Sequence, residues 1–232
     1  MKTEFLHSNC EICNSNDWIV VYEGPIRDGA YGGLLKKALI IECSFCNVQR
    51  LREQDCIPSS YYESGEYRMK LNQSLKSKKA LTEQDQVQKF MIQALGGLEN
   101  IRNKIVADIG CGTGSLLSMI SNLAKDSMGV EPCEPYADSL KKRGYDIFPD
   151  VKSAIPNYGN KVDVILSSQV IEHVKNPKLF LDEIYHLLAD DGLLIISTPN
   201  KKDILKSILP EFNSFFYRTQ HRWYFDDQSI VN

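Results

Sequence analysis

The chain predicts an α/β protein in which a doubly wound, mainly parallel sheet follows a small cysteine-rich module. Three observations carry this expectation. An apolar, β-branched run at 105–109 breaks into a turn with glycines at 110, 112 and 114, and helical spacing resumes from Ser115. Beyond it, strand-like and helix-like segments alternate up to residue 197. Ahead of it, two Cys-x-x-Cys pairs stand 29 residues apart.

The elements follow in order. Residues 1–58 form the module, with strand-like runs at 18–22 and 38–43 around a glycine-rich loop at 29–33. Cys10, Cys13, Cys43 and Cys46 can give four thiolates to one tetrahedral zinc, making a zinc ribbon. A segment this short has little core and needs such a staple. The turn residues after each pair can aim backbone N–H groups at sulfur. Two disulfides, or a redox dithiol using one pair, are the alternatives. Cys56, Cys111 and Cys133 lack paired spacing.

Residues 59–100 are a connector with a long amphipathic helix ending near Gly96-Gly97. Residues 101–232 form the core, with strands expected near 104–109, 127–131, 145–148, 162–167 and 192–197. Helices are expected near 115–124, 134–143 and 177–189, with Pro135 in a first turn and Asp190-Asp191-Gly192 as the turn closing the third. Right-handed crossovers would wind such a chain into one sheet. Asp226–Ile230 reads as a helix start.

Bulk properties narrow the function. The 232 residues are 43% hydrophobic and 25% charged, as in a globular protein, with a net charge of −3. That charge gives no footprint for nucleic acid or an anionic membrane. No apolar stretch approaches the roughly 20 residues that cross a bilayer, and no signal core follows Met1. The expected location is cytoplasmic.

The glycine turn points to a nucleotide-like ligand, because glycine admits close backbone approach and positive φ. Its spacing is G-x-G-x-G, unlike the G-x-G-x-x-G turn that seats a pyrophosphate on a helix N-terminus. Asp108 at the strand end repels phosphate and suits an ammonium group. A second strand ends in Glu131, suited to both hydroxyls of a ribose. Amine and ribose without phosphate describe S-adenosylmethionine.

Asp108 to Gly114 matches, residue for residue, the D-x-G-C-G-x-G motif of the class I, Rossmann-like S-adenosylmethionine-dependent methyltransferases, which the chain therefore resembles. The resemblance implies that Asp108, Gly110, Cys111, Gly112 and Gly114 line the donor site and that Glu131 and Pro132 meet the ribose. It places Asp150 and Val151 at the adenine, and Ser168 and Gln169 near the methionine end. Asp150 also reads as an ordinary turn residue. Enzymes of this class usually carry seven strands, so the chain is expected to be a fragment lacking the last ones; otherwise strand five leaves an open edge.

Val170-Ile171-Glu172-His173-Val174 resembles the E-H-V segment of small-molecule methyltransferases. Ubiquinone-type enzymes associate E-x-x-E-H with a divalent cation; here Gln169 replaces the first acid, so no catalytic metal is expected. Donor and acceptor held in line need only a proton acceptor, which histidine supplies near neutrality. His173 and His221 follow strand ends, and His221 sits in an aromatic, basic loop at 215–225 that could cover an acceptor. A capping role for Glu172 and His173, and a backbone-bonded loop role for His221, are the plainer readings.

The zinc-first order, His221 and Tyr224-Phe225 resemble the nucleotide-sugar C-methyltransferases, which carry Y-x-E-H. Gln220 replaces the glutamate, and Tyr217 stands one residue farther out. The resemblance makes His221, His173 and Tyr217 the catalytic candidates. Arg27-Asp28 and Tyr67-Arg68 could grip an anionic acceptor or be surface pairs. Lys70, Lys76, Lys78 and Lys79 read as a solvated helix face.

The resulting expectation is methyl transfer to a small polar acceptor, a sugar or nucleotide-sugar of surface-polysaccharide or secondary metabolism. An RNA methyltransferase and a non-catalytic donor-binding protein are the competing classes. Against RNA, residues 1–60 hold six Lys/Arg and eight Asp/Glu.

Overall fold

The computed structural model describes residues 8–28, 35–58, 60–64 and 78–231. They fall into two compact units: residues 1–58, 171–178 and 198–232 form the ribbon unit, and 59–170 with 179–197 the sheet unit. Tyr67, Arg68, Lys70, Lys76 and the loop at 29–33 lie outside the described residues, as do the side chains of Lys78 and Lys79.

The ribbon unit begins with a hairpin of β1 (Trp18–Arg27) and β2 (Leu35–Cys43), joined by β3 (Gln49–Leu51). All pairings are antiparallel, and a bulge at Val21 lets Val20 face Ile41 while Tyr22 faces Ile40. Two knuckles with one local geometry hold the cysteines. In each, the residue after the second cysteine, Asn14 or Asn47, has positive φ (63° and 58°). Its N–H donates to the first cysteine's carbonyl, at 2.8 Å for Asn14 to Cys10 and 2.9 Å for Asn47 to Cys43. Asparagine tolerates this left-handed conformation.

The sheet unit carries α1 (Lys78–Ala94), β4 (Ile105–Ile109), α2 (Ser115–Ile120), β5 (Asp126–Val130), α3 (Glu134–Lys142) and β6 (Asp146–Phe148). Then follow α4 (Val151–Tyr158), β7 (Val162–Ser168), α5 (Pro177–Tyr185) and β8 (Leu188–Ser197). Five parallel strands run in the order β6-β5-β4-β7-β8, as the alternation predicts. One face buries Met91, Ile92 and Leu95 of the α1 segment against Val106, Leu116, Ile120, Val164 and Leu166. Each such side chain contributes about 1.5–3 kcal/mol of hydrophobic stabilisation.

The structure corrects two expectations. The third predicted helix stops at Tyr185, and Asp190-Asp191-Gly192 lies inside β8 instead of closing a helix. Val162 pairs with Leu188 but Val164 with Leu193, so the turn signal marks a loop-out of the strand. A Cβ on Gly192 would lie 2.9 Å from the carbonyl oxygens of Ala189 and Val162, so only glycine passes there.

The second concerns residues 198–232, expected in the core, which group with the ribbon unit. They carry α6 (Ile204–Ile208), α7 (Phe212–Phe216) and β9 (Trp223–Tyr224), and β9 adds to β3 as a fourth antiparallel strand. Phe216, Tyr217 and Tyr224 pack with Ile26, Ala38, Ile40 and Leu51 into that unit's core. The aromatic stretch expected to cover an acceptor is thus largely interior. The guanidinium of Arg50, fully buried, lies 4.8 Å from the ring of Trp223. The helix start at Asp226 is a single turn, with Asp226 Oδ1 accepting from the Ser229 N–H at 2.8 Å.

Candidate active site

In a parallel sheet, ligands collect at the carboxyl ends of the strands where the winding direction reverses. Here the reversal falls between β4, which continues to β5 and β6, and β7, which continues to β8. The glycine turn leaves β4 at that point. Gly110, Gly112 and Gly114 all have positive φ (81°, 55° and 77°). A Cβ on Gly110 would come within 2.4 Å of Val170 Cγ2, and one on Gly114 within 2.4 Å of Leu140 Cδ2. The sequence chooses glycine for conformation and for space.

Asp108, at the end of β4, is 2% exposed, and its Oδ2 is buried without a hydrogen-bond partner. Burial, then the charge of Glu131, raises its pKa to about 7. A buried carboxylate lacking a partner is costly, and a cationic ligand would offset that cost. Glu131, just past β5, accepts from the Gly112 N–H through Oε2 and from the Cys133 N–H through Oε1, each at 2.8 Å. Pro132 follows as the bend into α3. Cys111 is buried and its thiol pKa is pushed well up, mainly by burial, so it serves packing.

Asp150 caps α4, its Oδ1 accepting from the Ser153 N–H at 2.8 Å, while Val151 is buried beneath it. This is the turn role read as the alternative. Ser168 Oγ lies 2.8 Å from Ser197 Oγ. Gln169 adopts φ 57°, unusual without glycine, and its N–H donates to the Ser197 carbonyl at 2.8 Å. The ends of four neighbouring strands therefore present the donor-site candidates along one edge.

The ribbon unit gathers a second set. Glu172 is fully buried, with its pKa raised to about 7 by burial. Its Oε2 accepts from Thr198 Oγ at 3.0 Å, while its Oε1 has no hydrogen-bond partner. His173 Nδ1 lies 2.8 Å from the Gln220 carbonyl, which makes Nδ1 the protonated nitrogen, and Nε2 lies 3.8 Å from Glu172 Oε1. The His173 and His221 rings meet edge to face, centroids 4.8 Å apart. His221 is buried, its Nδ1 lacks a partner, and burial with nearby His173, Arg218 and Arg27 holds its pKa well below the usual value.

The structure thus joins His173 and His221 but does not bring Tyr217 to them. The Tyr217 hydroxyl donates to Gln49 Oε1 at 3.0 Å and accepts from Lys206 Nζ at 2.8 Å. It is a core group, its pKa pushed well up by burial. Thr198, which orients Glu172, had no role assigned from sequence; a hydroxyl directly after a strand end was the available signal. Arg27 is likewise not the expected surface residue: it is buried, with its guanidinium 3.8 Å from the Phe215 ring centroid.

The four knuckle cysteines converge. Cys10 Sγ lies 3.7 Å from Cys46 Sγ, and Cys13 Sγ 3.5 Å from Cys43 Sγ. Around a tetrahedral zinc with bonds of about 2.3 Å, sulfurs stand about 3.8 Å apart, so the set fits.

Sheet order, glycine turn and paired acids define the class I S-adenosylmethionine-dependent methyltransferase architecture. A family model described as a methyltransferase domain matches residues 83–232, and the chain belongs to this methyltransferase family. The ubiquinone biosynthesis O-methyltransferase of Bartonella tribocorum is 30% identical over 105 residues, 43% of this chain and 42% of that protein. The tRNA U34 carboxymethyltransferase of Helicobacter pylori (strain Shi470) is 31% identical over 109 residues, 42% of this chain and 41% of its own length. The chain thus spans about two fifths of the length of these curated relatives. A solved S-adenosylmethionine-dependent methyltransferase from Archaeoglobus fulgidus shares the fold, with a TM-score of 0.50 at 17% identity over 72% of this chain and 69% of that one. No helix among the described residues is long and apolar enough to cross a membrane.

Proposed function

We propose that the protein transfers a methyl group from S-adenosylmethionine to a small polar acceptor of sugar or nucleotide-sugar type. The observation that carries this reading is Asp108, a buried carboxylate with an unpartnered oxygen at the glycine turn. It would hold the donor's ammonium group, and Glu131 the ribose hydroxyls. The three glycines and Cys111 would let the donor lie against backbone, with Pro132 fixing the bend. Asp150 and Val151 would meet the adenine, and Ser168 and Gln169 the methionine end. When bound, the donor supplies an electrophilic methyl group whose sulfur keeps the bonding pair as the acceptor takes the carbon.

The acceptor must lose a proton, and His173 and His221 are the candidate proton-handling groups named from the sequence. Cys10, Cys13, Cys43 and Cys46 would hold one structural zinc.

Calorimetric titration with S-adenosylmethionine and its demethylated product tests the donor site; no binding of either overturns it. A panel of nucleotide-sugars, scored by release of demethylated donor, tests the acceptor class. The tRNA-modifying relative makes RNA the competing acceptor; affinity falling steeply with salt would favour it.

A further inference from the structure

Glu172, His173 and His221 are arranged as ligands more than as bases. One potential ligand atom from each lies within 4.8 Å of the others. Two of the three side chains are buried, and each leaves one polar atom without a hydrogen-bond partner: Oε1 of Glu172 and Nδ1 of His221. The third is oriented for the same purpose. Because His173 Nδ1 donates to the Gln220 carbonyl, its Nε2 carries a lone pair, and that lone pair lies 3.8 Å from Glu172 Oε1.

A carboxylate and two imidazoles gathered in a buried site are costly to desolvate, and a cation bound among them would offset that cost. A shared proton does not resolve this, since 3.8 Å exceeds hydrogen-bond length. A metal ion does: ligand atoms stand about 3.4 Å apart around a tetrahedral ion with bonds of about 2.1 Å, so small side-chain adjustments suffice. The outer partners are of the kind that metal sites use. The Gln220 carbonyl fixes the His173 tautomer, and Thr198 Oγ holds the other Glu172 oxygen at 3.0 Å.

We propose that Glu172, His173 and His221 bind one divalent first-row transition-metal ion, with open coordination positions beside His173. Two imidazoles and one carboxylate suit such ions and leave sites for exchangeable ligands. The His173 side chain is 23% exposed, the route by which an ion or acceptor oxygen would arrive. The absence of a catalytic cation was expected because Gln169 replaces an acid in a linear motif; the fold supplies His221 from far along the chain instead. The site itself rests on this cluster alone.

The test uses the full chain, loaded with one equivalent of zinc so that the four cysteines take it and the new site stays open, titrated with Mn²⁺ and followed by electron paramagnetic resonance. Expected are one Mn²⁺ per chain, nitrogen couplings from two imidazoles in the pulsed spectrum, and affinity weakened in Glu172→Gln and His221→Gln by more than the roughly 10–100-fold that loss of an outer-shell partner costs. Near-ultraviolet circular dichroism from Trp18 and Trp223 monitors folding of the variants. Where a variant does not fold, the imidazole couplings in the wild-type chain decide. No stoichiometric Mn²⁺ in the wild type, couplings without imidazole, or unchanged affinity in folded variants would each overturn the proposal. Donor calorimetry is read separately: its failure overturns the methyl-donor assignment and leaves the cation site standing.

Discussion

The Glu131 carboxylate and the Gly112 N–H, 19 residues apart, meet at 2.8 Å across the ends of adjacent strands. The acid proposed for the donor's ribose therefore also shapes the glycine turn proposed to receive the donor. Asp108 has no such second duty, so its unpartnered oxygen can be probed without disturbing the turn.

Asp108→Asn should lower affinity for S-adenosylmethionine at least tenfold, about 1.4 kcal/mol, and leave unfolding stability unchanged or raised. Calorimetry and denaturant unfolding measure both. Unchanged donor affinity would remove Asp108 from the site.

Glu131→Gln should lower both affinity and stability. Glutamine has one acceptor oxygen for the two N–H groups of Gly112 and Cys133, and its NH₂ would face the second. The expected loss of stability is about 1–3 kcal/mol, read from urea midpoints. A variant as stable as wild type would show that the turn stands without this carboxylate.

The pH dependence has a defined sign. Asp108 titrates at about 7 when folded, against 3.8 as its ordinary value. The folded, donor-free chain thus binds more protons across that window, and Asp108's contribution to stability falls as pH rises through it. Donor affinity should move the other way, because the ionised form pairs with the ammonium. Melting temperatures from about pH 5 to about pH 8, with and without donor, test this. Glu172, raised for the same reason, titrates alongside, so the difference between wild type and Asp108→Asn isolates Asp108. Parallel profiles for the two would sink the assignment.

Gly110→Ala should be destabilising for two separable reasons. Left-handed backbone costs alanine about 1–2 kcal/mol, and overlap with Val170 adds about 1–3 kcal/mol. Adding Val170→Ala should recover the overlap but not the backbone cost. A double-mutant cycle showing no coupling would contradict the contact.

Cys10→Ser should release one zinc per chain, measured by elemental analysis, and alter the signal of Trp18, whose Nε1 donates to the Ser8 carbonyl at 2.9 Å. Donor affinity should survive, because the donor-site residues belong to the other unit. Retained stoichiometric zinc would exclude this cysteine as a ligand.

Strands, helices and the glycine turn were legible because each is written in local spacing: β-branched runs, helical periodicity, and glycine where φ must be positive. The twin knuckles were legible for the same reason. The sequence suggested a helix-closing turn at Asp190-Asp191-Gly192, which instead lies inside β8; an irregularity of a strand exists only relative to its partner strand, so it was not legible.

By itself, the sequence determined the parallel sheet, the glycine turn and the pairing pattern of the four cysteines. Tertiary structure alone decided that β9 joins the ribbon unit, that Tyr217 is interior, and that His221 meets Glu172 and His173. Those relationships link residues dozens of positions apart. Local preference does not encode them; they follow from which apolar faces bury each other and which N–H groups find a carbonyl.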